Sequence, residues 1–309
     1  LRGRFGRQSM SKRLKIAITV GDPSGIGPEV SLKAAEDPRV KAAGEIVLYG
    51  PKTDVELGAF SAGKVTAKAG SSAYETIVQA VTDVQAGRAD ALVTAPINKQ
   101  AFAKAGLPWR GHTDLLAHLT GTSRVAMMFH SEALRVVLAT VHVPLAEVPA
   151  LLTTDRLEAT IRLTATELPR FGFPNPRLAV AGLNPHAGEQ GLLGHEDEQV
   201  LRPAVEACRQ DGIDVVGPLP ADTLFVNAMQ GEYDVVVACY HDQGLIPAKL
   251  VAFGRTVNVT LGLPIVRTSV DHGTAFDISR QGVADPSSMV EAVLLAARLV
   301  KATRKRSSV

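Results

Sequence analysis

Val235-Val236-Val237-Ala238-Cys239-Tyr240-His241-Asp242-Gln243-Gly244 is the stretch whose reading decides the fold. The β-branched run reads as a buried strand, and the His-Asp-Gln-Gly after it sets an imidazole, a carboxylate and an amide at its carboxyl end. In open α/β sheets that edge is where ligands bind. The segments on either side repeat the pattern. Apolar runs at 14–20, 45–50, 90–94, 125–129, 134–141, 177–181, 257–260 and 265–269 read as strands. Between them, residues 71–88, 154–170 and 199–210 have helical spacing, and a closing helix runs to about Lys301. Strands alternating with helices through short loops predict a wound, largely parallel sheet. Residues 52–70 are small and polar and read as a loop or a trimmed subdomain, and 217–223 as a rigid loop.

Three histidines stand just beyond β-runs that a parallel sheet would end on one edge: His142, His186 and His241. Three neutral imidazoles hold a divalent metal while leaving positions open for substrate, as catalytic sites do. The competing reading is three hydrogen-bonded core or rim histidines, because no short metal motif is present. Lys249, Asn258 and Arg267 are polar groups on otherwise apolar segments, costly there unless paired or bound to an anion. Arg267 reads as a two-bond clamp for carboxylate or phosphate, or as half of an ion pair with Asp271 or Asp277. His112, in Gly111-His112-Thr113, is a substrate donor or a surface cap. The turn Gly21-Asp22-Pro23-Ser24-Gly25-Ile26-Gly27-Pro28-Glu29 reads as an anion-binding helix start or simply as a tight turn. Its glycines lack dinucleotide-fingerprint spacing, and no Gly-Lys-Ser/Thr comes after them.

Composition narrows the class. At 309 residues the chain predicts two lobes, and 46% hydrophobic with 21% charged residues is an ordinary globular balance. The net charge of +2 misleads, because nine arginines and lysines lie in acid-free ends; without them 24 bases face 31 acids, about −7. A nucleic-acid surface is not expected. Two cysteines, Cys208 and Cys239, suggest neither a metal knuckle nor a disulfide framework, and a reducing cytoplasm fits. No apolar run approaches a membrane span. The residues before Met10 read as an upstream or appended extension, or as a very short transit peptide. No Gly-x-Ser-x-Gly elbow supports a hydrolase.

Taken together, Gly-Asp-Pro-Ser-Gly-Ile-Gly-Pro-Glu (21–29), Thr-Ala-Pro-Ile-Asn-Lys (94–99), Gly-His-Thr (111–113), Gly-Leu-Asn-Pro-His-Ala-Gly-Glu (182–189), Gly-Pro-Leu-Pro-Ala-Asp-Thr (217–223), Tyr-His-Asp-Gln-Gly (240–244), Val-Asn-Val-Thr-Leu-Gly-Leu-Pro (257–264) and Arg-Thr-Ser-Val-Asp-His-Gly-Thr-Ala (267–275) resemble the 4-hydroxythreonine-4-phosphate dehydrogenase family of vitamin B6 synthesis. The resemblance implies the isocitrate/isopropylmalate dehydrogenase-like α/β fold: two α/β/α lobes with the active site in the cleft and at the interface of a homodimer. Its expected division is a disordered or appended tail at 1–13, a first lobe at 14–140 and 270–309 carrying the cofactor loop, and a second lobe at 141–269 carrying metal and dimer contacts.

The implied reaction is the NAD-dependent, metal-dependent oxidation of 4-phosphohydroxy-L-threonine. The 3-keto product then loses carbon dioxide to give 3-amino-2-oxopropyl phosphate. The metal, one per subunit, is Zn, Mg, Co, Mn or Ni; NADP is the alternative cofactor. By matching motifs, metal ligation falls on His142, His186 and His241, and substrate binding on His112, Thr113, Lys249, Asn258 and Arg267. The cofactor loop is His272, Gly273, Thr274, Ala275 and Asp277, similar to the adenosine-side loop of the wider superfamily. Lys249 or Asp242 is the base. Departures from the family pattern are Asp114 for glutamate, Cys239 for methionine, Ser279-Arg280 for Ala-Gly, and a short 52–70 region. They leave 4-phospho-D-threonate or 4-phospho-D-erythronate as alternative substrates, with an aromatic cis-dihydrodiol acid as a more remote one.

Overall fold

The computed structural model describes residues 13–306, so most of the expected 1–13 tail lies outside the described residues. Ten strands form one sheet: β1 Lys15–Thr19, β2 Glu45–Tyr49, β3 Ala91–Thr94, β4 Ala126–His130, β5 Arg135–Leu138, β6 Leu178–Ala181, β7 Val215–Leu219, β8 Val235–Ala238, β9 Val257–Leu261 and β10 Arg267–Ser269. Their order is β2-β1-β3-β10-β9-β4-β5-β8-β6-β7. The sheet is mixed. Two four-stranded parallel blocks, β2-β1-β3-β10 and β5-β8-β6-β7, are joined through antiparallel β9 and β4.

Sheet parity builds the cleft. Side chains alternate between faces, so one face of the whole sheet carries Ile16, Ile18, Val93, Met128, Val137, Val180, Val237 and Val259 in a single core. The closing helix Ser287–Arg306 packs into that core through Met289, Val290 and Val293. The opposite face is covered twice, by separate cores. One gathers Ala17, Leu92, Ile77 and Phe102 under the helix Ala67–Gln85. The other gathers Phe129, Val136, Val236 and Leu245 under the helices Ala221–Met229 and His241–Ala252. Between these two covers, β10, β9 and the start of β4 lie open, and Arg267, Asn258 and Met127 line the gap.

Two expectations change. Residues 215–219 are a strand, although the sequence reads as a loop from Gly217: β7 pairs only with β6, and an edge strand tolerates Pro218. The segment 52–70 is folded, starting with the short helix Asp54–Leu57, whose capping box joins Thr53 and Glu56.

Candidate active site

His142 and His241 come together because β5 and β8 run parallel and their pairing continues past both strand ends. Ala139 N donates to Ala238 O at 2.9 Å and Thr140 N to Cys239 O at 3.2 Å. Each histidine lies two residues further on, and the ring centroids are 5.5 Å apart. Close packing helps: a Cβ on Gly244 would meet Val136 Cγ1 at 2.7 Å, so only glycine lets the helix His241–Ala252 sit this low on β5. The amide of Gln243 stitches two strand ends, accepting from Cys239 N at 2.7 Å and donating to Gly182 O at 2.7 Å. That leaves it a structural group. Asp242 Oδ1 lies 2.7 Å from His241 Nδ1, which leaves Nε2 of that ring for a ligand. Burial and the nearby charge of Lys99 hold His142 below the ordinary histidine pKa, favouring the neutral form that a metal needs.

His186 stands apart. Its side chain is exposed, with Nδ1 3.0 Å from Glu189 Oε2, and among the described residues no three His, Cys, Asp or Glu side chains are grouped to hold a metal. The turn presenting it is left-handed through His186, Ala187, Gly188, Glu189 and Gln190, with φ from 45° to 79°. A left-handed residue other than glycine costs roughly 1–2 kcal/mol. Buried Asp197 clasps the start of this turn, accepting from Leu183 N at 2.8 Å and Asn184 N at 3.0 Å.

The open gap is a cleft of about 860 Å³ lined by His112, Thr113, His142, Asn258, Arg267 and His272, among others. Arg267 is 2% exposed and its ion-pair partner is absent: among the described residues no carboxylate pairs with it. Asp271 faces Lys249 instead, at 3.4 Å. Nor is its fork an open clamp, since Nη1 donates to Thr260 Oγ1 at 2.9 Å and Nη2 to Thr94 Oγ1 at 2.6 Å. Only Nε is left without a partner, and burial pushes the guanidinium down to about 9. His112 Nε2 and Asn258 Oδ1 are likewise buried and unpartnered. Buried polar atoms are nearly always satisfied, so these three orphans, with His272 Nε2 a fourth in the same cleft, mark where a ligand's polar groups belong. Lys249 does not line this wall.

The first turn and the 272–278 loop meet each other. Ile26 N donates to Thr274 O at 3.0 Å, and a Cβ on Gly25 would lie 2.7 Å from that same oxygen. Ser24 N and Gly25 N are taken by Asp22, so with Ile26 N three of the turn's backbone donors are already used. The 52–70 segment closes on the same loop: Arg280 Nη2 donates to Leu57 O at 2.6 Å and Phe60 O at 2.8 Å. His272 Nε2 is buried without a partner, Gly273 faces open space in the cleft, and Asp277 is exposed.

This arrangement has close relatives. The profile of the family described as "Pyridoxal phosphate biosynthetic protein PdxA" matches residues 8–296. The chain belongs to the PdxA family. It is 43% identical to 4-hydroxythreonine-4-phosphate dehydrogenase of Geobacter metallireducens, over 93% of this chain and 96% of that one. It is 41% identical to D-threonate 4-phosphate dehydrogenase of Pectobacterium atrosepticum, over 92% and 98%. The crystal structure of 4-hydroxythreonine-4-phosphate dehydrogenase from Klebsiella pneumoniae superposes with a TM-score of 0.83 at 39% identity, covering 94% of this chain and 99% of that one. Isocitrate dehydrogenase of Methylococcus capsulatus shares the fold alone, with a TM-score of 0.52 at 17% identity over 96% and 89%. This PdxA-family chain is a dehydrogenase with the isocitrate dehydrogenase-like α/β fold. Among the described residues no helix is long and apolar enough to cross a membrane.

Sequence reasoning missed Lys99, Arg110 and Ser269, which also line the cleft. The signal for Lys99 was its place in the Thr-Ala-Pro-Ile-Asn-Lys motif.

Proposed function

We propose that this chain oxidises the secondary alcohol of 4-phosphohydroxy-L-threonine with NAD and a divalent metal, yielding a 3-keto acid that decarboxylates to 3-amino-2-oxopropyl phosphate. The observation that carries the reading is Arg267, a buried cation without a counter-charge in a cleft whose wall includes His142, the ring that lies 5.5 Å from that of His241. A second reading, 4-phospho-D-threonate as substrate, is favoured by one feature: Asp114 is the single carboxylate among the described residues of the cleft wall to meet a substrate ammonium, and it already accepts from Arg110 N.

The donor set fits the implied groups. His142 and His241 supply imidazole nitrogens for Zn, Co, Ni, Mn or Mg, and orphaned His272 Nε2 beside open Gly273 suits a nucleotide. When bound, the metal supplies a Lewis acid at the oxygen undergoing oxidation and the nicotinamide accepts the hydride. Arg267, His112 and Asn258 bind and orient the acid, with Thr113 beside them. Thr274, Ala275 and Asp277 complete the cofactor loop. Of the two expected bases, Asp242 is hydrogen-bonded to His241 Nδ1 and Lys249 is paired with Asp271 off the cleft wall, so the hydroxyl proton reaches either of them through water. Asp271, whose carboxyl burial holds above its ordinary range, stands 3.4 Å from Lys249 as an onward acceptor.

The third ligand, His186, comes from a second copy of the chain in a homodimer. Support comes from the helix that begins at His241: Ile246, Leu250 and Phe253 leave 59%, 81% and 84% of their surface exposed, an apolar ridge on the element that carries the imidazole. Coexpressing His186→Ala with His241→Ala tests this. Hybrid dimers then hold one complete site, and up to about a quarter of wild-type turnover returns. No recovery above either variant alone overturns ligation across the dimer. NADH formation, assayed on 4-phosphohydroxy-threonine, 4-phospho-D-threonate and 4-phospho-D-erythronate with and without chelator, tests the reaction. Turnover of none of the three defeats it.

A further inference from the structure

The geometry points to Lys99 as a substrate-binding residue that takes the phosphate, an assignment that rests on the phosphorylated acid proposed above. Lys99 begins the helix Lys99–Lys104 just past the carboxyl end of β3, positioned by Asn98, whose side chain accepts from Ala101 N at 2.9 Å. It lines the cleft, and its Cε lies 3.8 Å from where a Cβ on Gly111 would stand. Gly111, His112 and Thr113 also face the cleft, where they open the helix His112–Thr120, which has no side-chain cap.

A flexible cation therefore lies over an uncapped helix start inside the substrate cleft, beside the orphaned His112 Nε2. Among the described residues no carboxylate pairs with Lys99, although Asp114 sits on the neighbouring turn. An ammonium and free N–H groups converging on one spot suit a compact dianion with several acceptor oxygens.

Arg267 lies at a different depth. It opens β10 level with Leu92, below the strand end that Lys99 overhangs, and is sealed among threonines with Nε the one nitrogen left unpartnered. That suits the carboxylate. Two cations at two depths then fit an acid with an anion at each end.

The test uses full-length metal-loaded enzyme with Lys99→Ala, Lys99→Arg and, for charge alone, Lys104→Ala. Lys104 lies at the far end of the same helix with Nζ on Val65 O. Binding of inorganic phosphate is measured by calorimetry alongside steady-state kinetics. Lys99→Ala is expected to weaken phosphate binding and raise the KM of the phosphorylated acid about 10- to 100-fold, the worth of a hydrogen bond to a charged group. Turnover should stay within about threefold, Lys99→Arg should recover most of the loss, and Lys104→Ala should change neither quantity. An unchanged KM, a loss confined to kcat, or an equal effect from Lys104→Ala overturns the assignment. If the wild-type enzyme turns over none of the phosphorylated acids, the functional reading fails instead, and the phosphate calorimetry still reports on Lys99.

Discussion

Replacing Arg267 by methionine separates a binding residue from a structural one. The guanidinium is 2% exposed, and burial pushes it from 12.5 down to about 9. A folded-state value below the unfolded one means that folding disfavours the charge. Below pH 9 the group is charged in both states, so the whole penalty is present and flat across neutral pH; it fades as pH rises from 9 towards 12.5. Its size is roughly 5 kcal/mol. Against this stand two hydrogen bonds, to Thr94 Oγ1 and Thr260 Oγ1, each worth about 1.5–3 kcal/mol from a charged donor. Methionine fills similar volume without the charge, so the two effects nearly cancel, and stability should change by less than about 2 kcal/mol, a few degrees in Tm. Activity should not cancel. Losing the cleft's buried cation should lower kcat/KM by about 30- to 1000-fold and abolish the thermal stabilisation that the phosphorylated acid gives the wild type. The assays are thermal denaturation with and without substrate, and NADH formation. A loss above about 4 kcal/mol, with turnover falling only in step with the folded fraction, would refute the reasoning and make Arg267 a strut between β3, β10 and β9.

His130, 7% exposed against Phe171, is pushed down from 6.5 to about 4 by burial and then by the charges of Arg135 and Arg298. Its depressed value favours the neutral form, so stability is lost as pH falls from 6.5 towards 4, by about 3 kcal/mol. His130→Phe should flatten that part of the urea-denaturation profile; an unchanged slope would assign the acid sensitivity elsewhere. Gly25→Ala drives a Cβ to within 2.7 Å of Thr274 O and should displace the 272–278 loop. NAD binding, read by calorimetry, is expected to weaken at least tenfold with little change in metal content; unaltered affinity would detach this loop from the cofactor.

Much of this site was legible because strands have a period of two. In Val257-Asn258-Val259-Thr260-Leu261 the apolar residues face the continuous core, and the polar ones must face the other way, into the gap between the two smaller cores. The strand-end placement of His142 and His241 came from similar logic, since parallel neighbours bring the residues beyond their carboxyl ends to one edge of the sheet. Features that stayed hidden depend on partners distant in the chain. Nothing local to Gly21–Glu29 says that Thr274 occupies Ile26 N, and nothing beside Arg267 says that Thr94 and Thr260 take its fork. Gly217-Pro218 masked β7 because the same dipeptide that forbids a central strand is harmless at an edge. Lys99 stands in the Thr-Ala-Pro-Ile-Asn-Lys motif, but only the fold turns it over Gly111.

The helix His241–Ala252 concentrates these constraints. Its first turn carries the imidazole, the carboxylate that orients it and the amide joining β8 to β6. Gly244 sets its height on β5, Lys249 meets Asp271 eight residues after His241, and Ile246, Leu250 and Phe253 run along the uncovered side. Helical spacing forces these roles onto different faces, so a substitution on the ridge leaves every intrachain contact of the imidazole intact. Leu250→Glu therefore distinguishes the two ways of completing the site. If His186 arrives from a second copy, this variant should lose metal and activity together with its dimer, while Tm of the monomer changes little. A dispersed chain that keeps its metal would place the third ligand within a single copy.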